Sequence, residues 1–291
     1  MKIALGTANF GQKYGLNGKN INSNKKIEKI LKFSNSSNIN LIDTSSNYGS
    51  SSNYGSSEIL LGKNSLKNFK LVTKIKTSIK EKKSNNLENI IYKKVEKSLL
   101  KLNIKKLYAI LLHDINDLKG NRKHLIIKVL KKLKKKKLVS KIGISIYDPK
   151  ELDFIWSFWK PDIVQCPFNI LDQRIFKSGW LNRLIKNRVE VHVRSIFLQG
   201  LLLKNEKTIP KKFKKWKNIF RKWDKYCNEE NISKLQACIN FIKFFKKISY
   251  VVVGFENISQ IKKITEYFNN NKKKYTSLTC SGTKLINPRL W

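Results

Sequence analysis

Residues 69–114 read FKLVTKIKTSIKEKKSNNLENIIYKKVEKSLLKLNIKKLYAILLHD, and they give the clearest indication of the fold. Two short runs rich in Val, Ile and Leu, residues 69–75 and 107–114, have the composition of strands that are buried on both faces. Between them, residues 85–102 repeat their apolar positions with the 3.6-residue period of an amphipathic helix. The stretch therefore predicts a strand–helix–strand unit with parallel strands.

Runs of the same kind recur along the chain. They are KIALGTA (2–8), INLIDT (39–44), KIGISI (141–146), DIVQCPF (162–168), VEVHVRSI (189–196) and YVVVGF (250–255). Helical periodicity separates several of them, at 124–136 and 149–159, and Ser233 and Gln236 have capping-box spacing at the start of another helix. Eight strand–helix units predict one (β/α)8 TIM barrel domain over residues 1–291.

A doubly wound sheet is the alternative fold, but the chain contains neither a G-x-G-x-x-G nor a G-x-x-x-x-G-K-[ST] motif. The longest interruption of the strand–helix pattern, residues 197–230, includes PKKFKKWKNIFRKW. We expect this segment to combine a loop over the barrel mouth with an additional helix.

Composition restricts the possible partners. With 61 Lys and Arg against 20 Asp and Glu, the formal net charge is +41, which would ordinarily favour a polyanionic partner. The lysines are spread along nearly the whole chain among abundant Asn and Ile, so we attribute the charge to general composition and expect no specific nucleic-acid partner.

The four cysteines and three histidines show no metal-ligand spacing, and we predict no metal site and no disulfide framework. The apolar stretch at the start is too short for a signal peptide, and no run approaches the roughly 18 apolar residues of a membrane span. A cytoplasmic protein is therefore expected, with its oligomeric state open.

Titratable residues end three consecutive predicted strands. Asp43, Lys74 and His113 follow the apolar residues of strands two, three and four. Each residue alone has an ordinary structural explanation, as a turn, a solvated charge or a buried histidine. Because catalytic groups of a barrel lie where strands end, the set as a whole predicts a reaction site at one mouth.

A tyrosine just beyond strand two would join this set. A phenol has a pKa of about 10, and a neighbouring ammonium lowers it by roughly 1 to 3 units. We expect Lys74 to supply that charge, Asp43 to hold Lys74 charged, and His113 to orient a carbonyl oxygen or relay a proton.

With these residues in place, the chain resembles the aldo-keto reductases nearly from end to end. The resemblance is carried by LGTANFG, IDTSSNYG with SEILLG, LVTK, LLHD, GISIYDP, VQCPFN, RSIFLQGLL and VVGFEN. It implies a nicotinamide-dependent barrel enzyme that reduces an aldehyde or ketone to an alcohol, with a tyrosine as general acid. The start of the chain and RSIFLQGLL are closest to bacterial members near carbohydrate pathways, which favours a sugar-like carbonyl substrate.

Two tyrosines compete for the role of acid, because residues 45–56 contain the unit SSNYGS twice. The family keeps five residues between the aspartate and the tyrosine, and Tyr48 stands five residues after Asp43. Tyr54 stands eleven after it, although its YGSSE context suits the following helix. We predict that Tyr48 is the acid and that the second copy is a loop insertion.

The resemblance also implies the cofactor site. Ser145 and Gln165 match positions that bind the nicotinamide carboxamide, although Ile146 stands where an asparagine often follows. Arg194, next to Ser195, stands where relatives stack an aromatic ring on the nicotinamide. The remaining positions are Gly6, Thr7 and Asn9 beneath the ring, and Gly254, Phe255, Glu256 and Asn257 at the adenosine phosphates.

Glu256 repels a 2′-phosphate and suits a free ribose hydroxyl, which leaves NADH possible. The resemblance to the family alone favours NADPH. Two other functions stay open at this point. One is a regulatory barrel with negligible turnover, as in the potassium-channel beta subunits, and the other is an anionic-surface binder that uses the +41 charge.

Overall fold

The computed structural model describes residues 1–16, 18, 20–49, 55–270 and 272–291. Eight parallel strands pair in sequence order, and β1 pairs with β8 to close a barrel. The strands are β1 Lys2–Gly6, β2 Leu41–Asp43, β3 Lys70–Ile75, β4 Leu107–Leu112, β5 Val139–Ser145, β6 Ile163–Pro167, β7 Glu190–Arg194 and β8 Tyr250–Gly254. Each strand overlaps one of the eight predicted runs, so the predicted (β/α)8 barrel is confirmed.

Helices surround the barrel. They are α1 Asn24–Ser36, α2 Ser56–Gly62, α3 Ile79–Lys83, α4 Leu87–Leu102, α5 Lys123–Lys135, α6 Lys150–Trp156, α7 Arg174–Lys177, α8 Trp180–Lys186, α9 Lys217–Glu229, α10 Lys234–Phe244, α11 Ile258–Asn269 and α12 Thr283–Ile286. Short 3₁₀ helices lie at Ile115–Asp117, Leu198–Leu203, Glu206–Thr208, Lys211–Trp216 and Pro288–Leu290. Within the described ranges, no helix is long and apolar enough to cross a membrane.

The predicted helices agree with the structure except at one end. The pattern at 149–159 predicts a helix up to Trp159, but α6 ends at Trp156. Pro161 restricts the residue before it to extended backbone, so the chain must leave the helix early. The cap at Ser233 is present, since its side chain accepts the backbone N–H of Gln236 at 3.2 Å.

The core has two parts, as the alternation of side chains along a strand requires. Side chains pointing inward fill the barrel axis; they include Ala4, Leu41, Val72, Ala109, Leu111, Ile163 and Tyr250. The larger cluster lies between the strands and the surrounding helices. Close packing outside the barrel requires small residues, because a Cβ added to Gly62 of α2 would lie 2.0 Å from the carbonyl oxygen of Lys101 of α4.

A polar cluster occupies the end of the barrel opposite the predicted mouth. Glu190, the first residue of β7, accepts hydrogen bonds from the Tyr108 hydroxyl at 2.7 Å and pairs with Lys141. Its other oxygen lies 2.7 Å from Nε2 of His192, which is fully buried. Burial acts to raise the pKa of Glu190, but hydrogen bonds from His192 and Lys141 outweigh it and lower the pKa to about 2.

Residues 197–230 form the predicted cover and extra helix. The cover approaches the β1 loop, where the backbone N–H of Leu16 donates to the carbonyl oxygen of Gln199 at 3.1 Å. Gln199 adopts a left-handed backbone with φ of 54°. Trp223 of α9 connects this helix to the cover, because its indole N–H donates to the carbonyl oxygen of Leu202 at 2.9 Å.

Candidate active site

Three predicted catalytic residues stand at the carboxyl ends of neighbouring strands. Asp43 is the last residue of β2, Lys74 is the penultimate residue of β3, and His113 directly follows β4. These strands pair in parallel, so their ends meet at one face of the barrel. The structure therefore brings all three residues to the same mouth.

Asp43 and Lys74 form a buried ion pair. The Lys74 ammonium donates to an Asp43 carboxylate oxygen at 2.6 Å and to the carbonyl oxygen of Thr44 at 2.9 Å. The second Asp43 oxygen accepts a hydrogen bond from the Gln165 side chain at 2.7 Å. Burial lowers the pKa of Lys74, while the Asp43 charge acts in the opposite direction and favours the ammonium.

Tyr48 completes this group. Its hydroxyl lies 3.4 Å from the Lys74 nitrogen, and the same nitrogen stands 5.3 Å from the centre of the phenol ring. The ring meets the His113 imidazole edge-on, with 6.2 Å between the ring centroids. Tyr54, the competing candidate, lies outside the described residues.

The predicted direction of the Tyr48 pKa shift is wrong. Burial, followed by the negative charge of Asp43, raises the pKa of Tyr48 well above its ordinary value. The expectation considered only the ammonium of Lys74. Because Asp43 neutralises that ammonium and burial reduces the hydration of the phenolate, the charged form is disfavoured. The phenol is therefore held in its protonated form at neutral pH.

His113 is also held neutral. Its Nδ1 atom lies 3.2 Å from the Ser45 hydroxyl, and its backbone N–H donates to the carbonyl oxygen of Ile75 at 2.9 Å. Burial, together with the positive charges of Lys74 and Arg194, lowers the pKa of His113 to about 3. A neutral imidazole beside a phenol can donate one hydrogen bond and accept another.

A cavity of about 590 Å³ opens beside Asp43 and Tyr48. Its wall includes six of the predicted cofactor residues, which are Gly6, Thr7, Arg194, Ser195, Gly254 and Glu256. Asn9 also lines it. The cover contributes Phe197, Gln199, Gly200 and Leu203. The cavity is thus bounded by the ends of β1, β2, β7 and β8, next to the tyrosine.

Four predicted cofactor residues do not form part of this wall in the described chain. Ser145, Gln165 and Phe255 are buried behind it. Asn257 instead caps α11, since its side chain accepts the backbone N–H of Gln260 at 2.9 Å. Ser145 stands beside Gln165 in the strand register.

Residues 2–280 match the sequence profile of the Aldo/keto reductase family. This match covers nearly the whole chain. The chain belongs to the aldo/keto reductase family. It is accordingly an oxidoreductase of small carbonyl compounds, and the cofactor of this family is a nicotinamide nucleotide.

Solved structures of aldo-keto reductases share the fold of this reductase. An aldo-keto reductase from Bacillus halodurans, determined in its holo form, is 18% identical, with a TM-score of 0.70 over 94% of this chain and 88% of that one. The glycerol dehydrogenase from Gluconobacter oxydans is 19% identical, with a TM-score of 0.67 over 92% and 86%. No curated protein sequence matches at a significant level.

The residues of this reductase fit a nicotinamide cofactor. Within the part of the chain that the structure describes, the side-chain oxygens of Gln165 and Asn9 are buried and accept no hydrogen bond. Asn9 lines the cavity and Gln165 donates to Asp43 on its wall, so these two acceptors match a carboxamide N–H₂ or a ribose hydroxyl. The start of α11, preceded by Gly254 and Glu256 on the cavity wall, offers backbone N–H groups to a phosphate.

Several residues of this aldo/keto reductase site were not predicted from the sequence. Ser45 contacts His113, and Thr44 accepts a hydrogen bond from Lys74 through its carbonyl oxygen. Both follow Asp43 directly, so their position in the IDTS run was a usable signal. Tyr147 stacks on Arg194, with 4.2 Å between the guanidinium carbon and the ring centre. No local sequence signal indicates that contact.

Proposed function

We propose that this aldo/keto reductase reduces an aldehyde or ketone to an alcohol, with Tyr48 as the general acid. The observation that carries the proposal is the position of the Tyr48 hydroxyl, 3.4 Å from an ammonium that is itself paired with a buried carboxylate. This group borders the cavity that the predicted cofactor residues line. Such an arrangement supports proton transfer to a substrate oxygen at the mouth.

The proton moves from the Tyr48 hydroxyl to the carbonyl oxygen of the substrate. As negative charge develops on that oxygen it becomes far more basic than the phenol, so the proton transfers even though the pKa of Tyr48 is raised. The phenolate that remains is stabilised by the Lys74 ammonium. Asp43 keeps Lys74 charged in spite of its burial.

His113 acts as a hydrogen-bonding group and not as an acid. With a pKa of about 3 the imidazole is neutral throughout the working pH range. The Ser45 hydroxyl lies 3.2 Å from Nδ1, and we propose that it donates to that atom, which leaves the imidazole proton on Nε2. The Nε2–H then donates to the carbonyl oxygen and orients it toward Tyr48.

Residues on the cavity wall, together with residues just behind it, would hold the cofactor. When bound, the nicotinamide supplies the hydride that reduces the carbonyl carbon. Gln165 and Ser145 would bind the carboxamide, Gly6 and Thr7 would contact the nicotinamide ring, and Ser195 and Arg194 would contact it from the end of β7. Gly254, Phe255, Glu256 and Asn257 would bind the adenosine phosphates at the start of α11. The orphaned Gln165 oxygen supports this assignment.

We propose NADPH as the preferred nucleotide, with NADH as a second cofactor. Two charged residues on the cavity wall act in opposite directions on a 2′-phosphate. Glu256 repels it, whereas Lys263 of α11 attracts it. The usual cofactor preference of the family and the charge of Lys263 together favour NADPH. The ratio of activities with the two reduced nucleotides measures the preference.

The substrate we propose is a small, polar, sugar-like carbonyl compound. The wall carries side chains with hydrogen-bonding groups that suit hydroxyls, including Asn9, Tyr14 and Gln199.

One domain over residues 1–291 and a location in the cytoplasm stay predictions.

The test is steady-state oxidation of NADPH by the purified chain with a panel of aldehydes and ketones. Turnover that requires both the carbonyl compound and the nucleotide is expected. Tight binding of NADPH without turnover of any carbonyl would contradict the proposal and would favour a regulatory barrel instead. Equilibrium titration of the protein with NADPH separates those two outcomes.

A further inference from the structure

The guanidinium of Arg194 is held rigidly at the cavity wall. One terminal nitrogen donates to the carbonyl oxygen of Ile146 at 3.0 Å, and the other donates to the Ser195 hydroxyl at 3.5 Å. The guanidinium carbon lies 4.2 Å from the centre of the Tyr147 ring. The side chain is half-buried, and the same cavity wall includes Asp43 and Tyr48. Its position is therefore fixed by neutral groups next to the proposed acid.

Arg194 has no carboxylate partner among the described residues, in contrast to Lys74 and Arg289 nearby. Lys74 is paired with Asp43 at 2.6 Å, and Arg289 lies 3.5 Å from Asp114. Arg289 also stands against Tyr147, with its guanidinium carbon 4.4 Å from the ring centre. Two guanidinium groups thus contact one ring, and among the described residues only Arg289 of the two has a carboxylate partner.

An unbalanced guanidinium in a partly desolvated cavity favours a bound anion. Arginine has five N–H donors in a planar fork, and the two hydrogen bonds given above leave three for a ligand. A carboxylate matches two parallel N–H groups of such a fork. Stacking on Tyr147 uses a face of the guanidinium, so the donors at its edge stay available.

We propose that Arg194 binds a carboxylate of the substrate, so that the preferred substrates are carbonyl compounds that also carry a carboxylate. This inference rests on the proposed carbonyl reduction and names its substrate class. It is compatible with the predicted stacking of Arg194 on the nicotinamide, because stacking and carboxylate binding use different parts of the guanidinium. The rigid placement of Arg194 beside Tyr48 orients the carbonyl group relative to the acid.

The experiment compares two aldehydes of the same shape, 4-carboxybenzaldehyde and 4-methylbenzaldehyde, in the native chain and in Arg194→Met. We expect the native chain to prefer the carboxylate by about 10- to 100-fold in kcat/KM. In the variant the ratio of kcat/KM for the two aldehydes should fall to about one, and this ratio cancels any effect that the substitution has on cofactor binding. Arg194→Lys should retain part of the preference, since it keeps the charge without the fork.

Arg183→Met is the matched control. Arg183 lies on α8 and stacks on Trp156 and Trp180, away from the cavity wall. Its substitution removes an arginine of the same size and should leave the ratio of the two aldehydes unchanged.

Calorimetric titration with benzoate, and separately with NADPH, provides a measurement that does not depend on turnover. Benzoate should bind the native chain and bind Arg194→Met at least about tenfold more weakly. If neither aldehyde is turned over but benzoate binding still depends on Arg194, then the proposed reduction fails and the carboxylate site stands. If both aldehydes lose activity equally, or only NADPH binding weakens, then Arg194 serves the cofactor and the inference is overturned.

Glyceraldehyde 3-phosphate and glyceraldehyde form a second pair that separates carboxylate from phosphate. We expect a smaller preference for the charged member of this pair than for 4-carboxybenzaldehyde. A preference for the phosphate alone would overturn the assignment to a carboxylate.

Discussion

The Lys74 ammonium lies 2.6 Å from the Asp43 carboxylate, and both side chains are almost completely buried. A buried ion pair of this kind is costly to break, because the partner that remains is an uncompensated charge in a dry site. The pair also places the ammonium 3.4 Å from the Tyr48 hydroxyl. The same contact therefore affects both stability and proton transfer.

Comparing Lys74→Met with a double variant that also carries Asp43→Asn should separate these two effects. We expect carbonyl reduction to fall at least about 10²-fold, because nothing then stabilises the phenolate of Tyr48. The free energy of unfolding should fall by about 3 to 5 kcal/mol, since Asp43 is left unpaired. In the double variant Asp43→Asn/Lys74→Met, the free energy of unfolding should return toward the native value while carbonyl reduction stays low. Chemical denaturation and steady-state kinetics measure the two quantities.

Lys70→Met is the control for that experiment, because Lys70 begins the same strand at the opposite, exposed end. It should preserve activity. A double variant that recovered activity together with stability would show that the pair serves structure alone.

His113 should stay neutral well below the pH at which an ordinary histidine becomes protonated. Its pKa of about 3 predicts no imidazole titration between pH 8 and about 5. Because this pKa lies below the unfolded value of 6.5, the contribution of His113 to stability is complete above 6.5 and is lost as the pH falls toward 3.

The chain has three histidines, so the His113 signal can be assigned by its loss in His113→Gln in an NMR titration. The native chain should lose stability relative to this variant as the pH falls below 6.5. A His113 signal that titrates near pH 6.5 would show that the imidazole is solvated and is not held as the structure indicates.

The charges of Glu256 and Lys263 should set the nucleotide preference. Glu256→Gln removes a repulsion and should raise the ratio of NADPH to NADH activity by up to about tenfold. Lys263→Gln should lower the same ratio. Glu266→Gln, on the exposed side of α11, is the control and should change neither. A lower ratio in Glu256→Gln together with a higher ratio in Lys263→Gln would contradict this assignment and would place the 2′-phosphate elsewhere.

Glu190→Gln should lower the free energy of unfolding and leave carbonyl reduction unchanged. The carboxylate of Glu190 accepts hydrogen bonds from the Tyr108 hydroxyl and pairs with His192 at the end of the barrel away from the mouth. Its loss should cost about 3 kcal/mol in the free energy of unfolding at pH 7. The pKa of Glu190 is lowered from 4.5 to about 2, so its stabilisation is present above 4.5 and is lost as the pH falls toward 2.

Denaturation of Glu190→Gln at pH 7 and pH 3, beside kinetics at pH 7, checks both statements. The gap in stability between native and variant should shrink at pH 3. A loss of activity without a loss of stability would show that Glu190 affects the active site from the opposite end of the barrel.

The barrel could be predicted from the sequence because its strands are buried on both faces. In the runs 69–75 and 107–114, ten of the fifteen residues are apolar, and such short apolar runs separated by helical patterns are typical of buried parallel strands. Strand order then places Asp43, Lys74 and His113 at one face. The positions of these residues followed from topology alone, and the structure agrees.

The energetics of the site could not be predicted in the same way. The sign of the Tyr48 pKa shift depends on burial and on the distance to Asp43, which spacing along the chain does not give. Arg289 reaches Asp114 and Tyr147 from the far end of the sequence, a contact that requires the complete fold. Tertiary contacts of this kind leave no local pattern.

The most direct test of the proposed reaction is a comparison of Tyr48→Phe with Tyr54→Phe in carbonyl reduction by NADPH. Each variant removes one hydroxyl and keeps the ring. We expect Tyr48→Phe to lower kcat/KM by at least about 10²-fold with NADPH binding retained, and Tyr54→Phe to stay within about threefold of native. Full activity in Tyr48→Phe together with inactivity in Tyr54→Phe would contradict the assignment of Tyr48 as the acid.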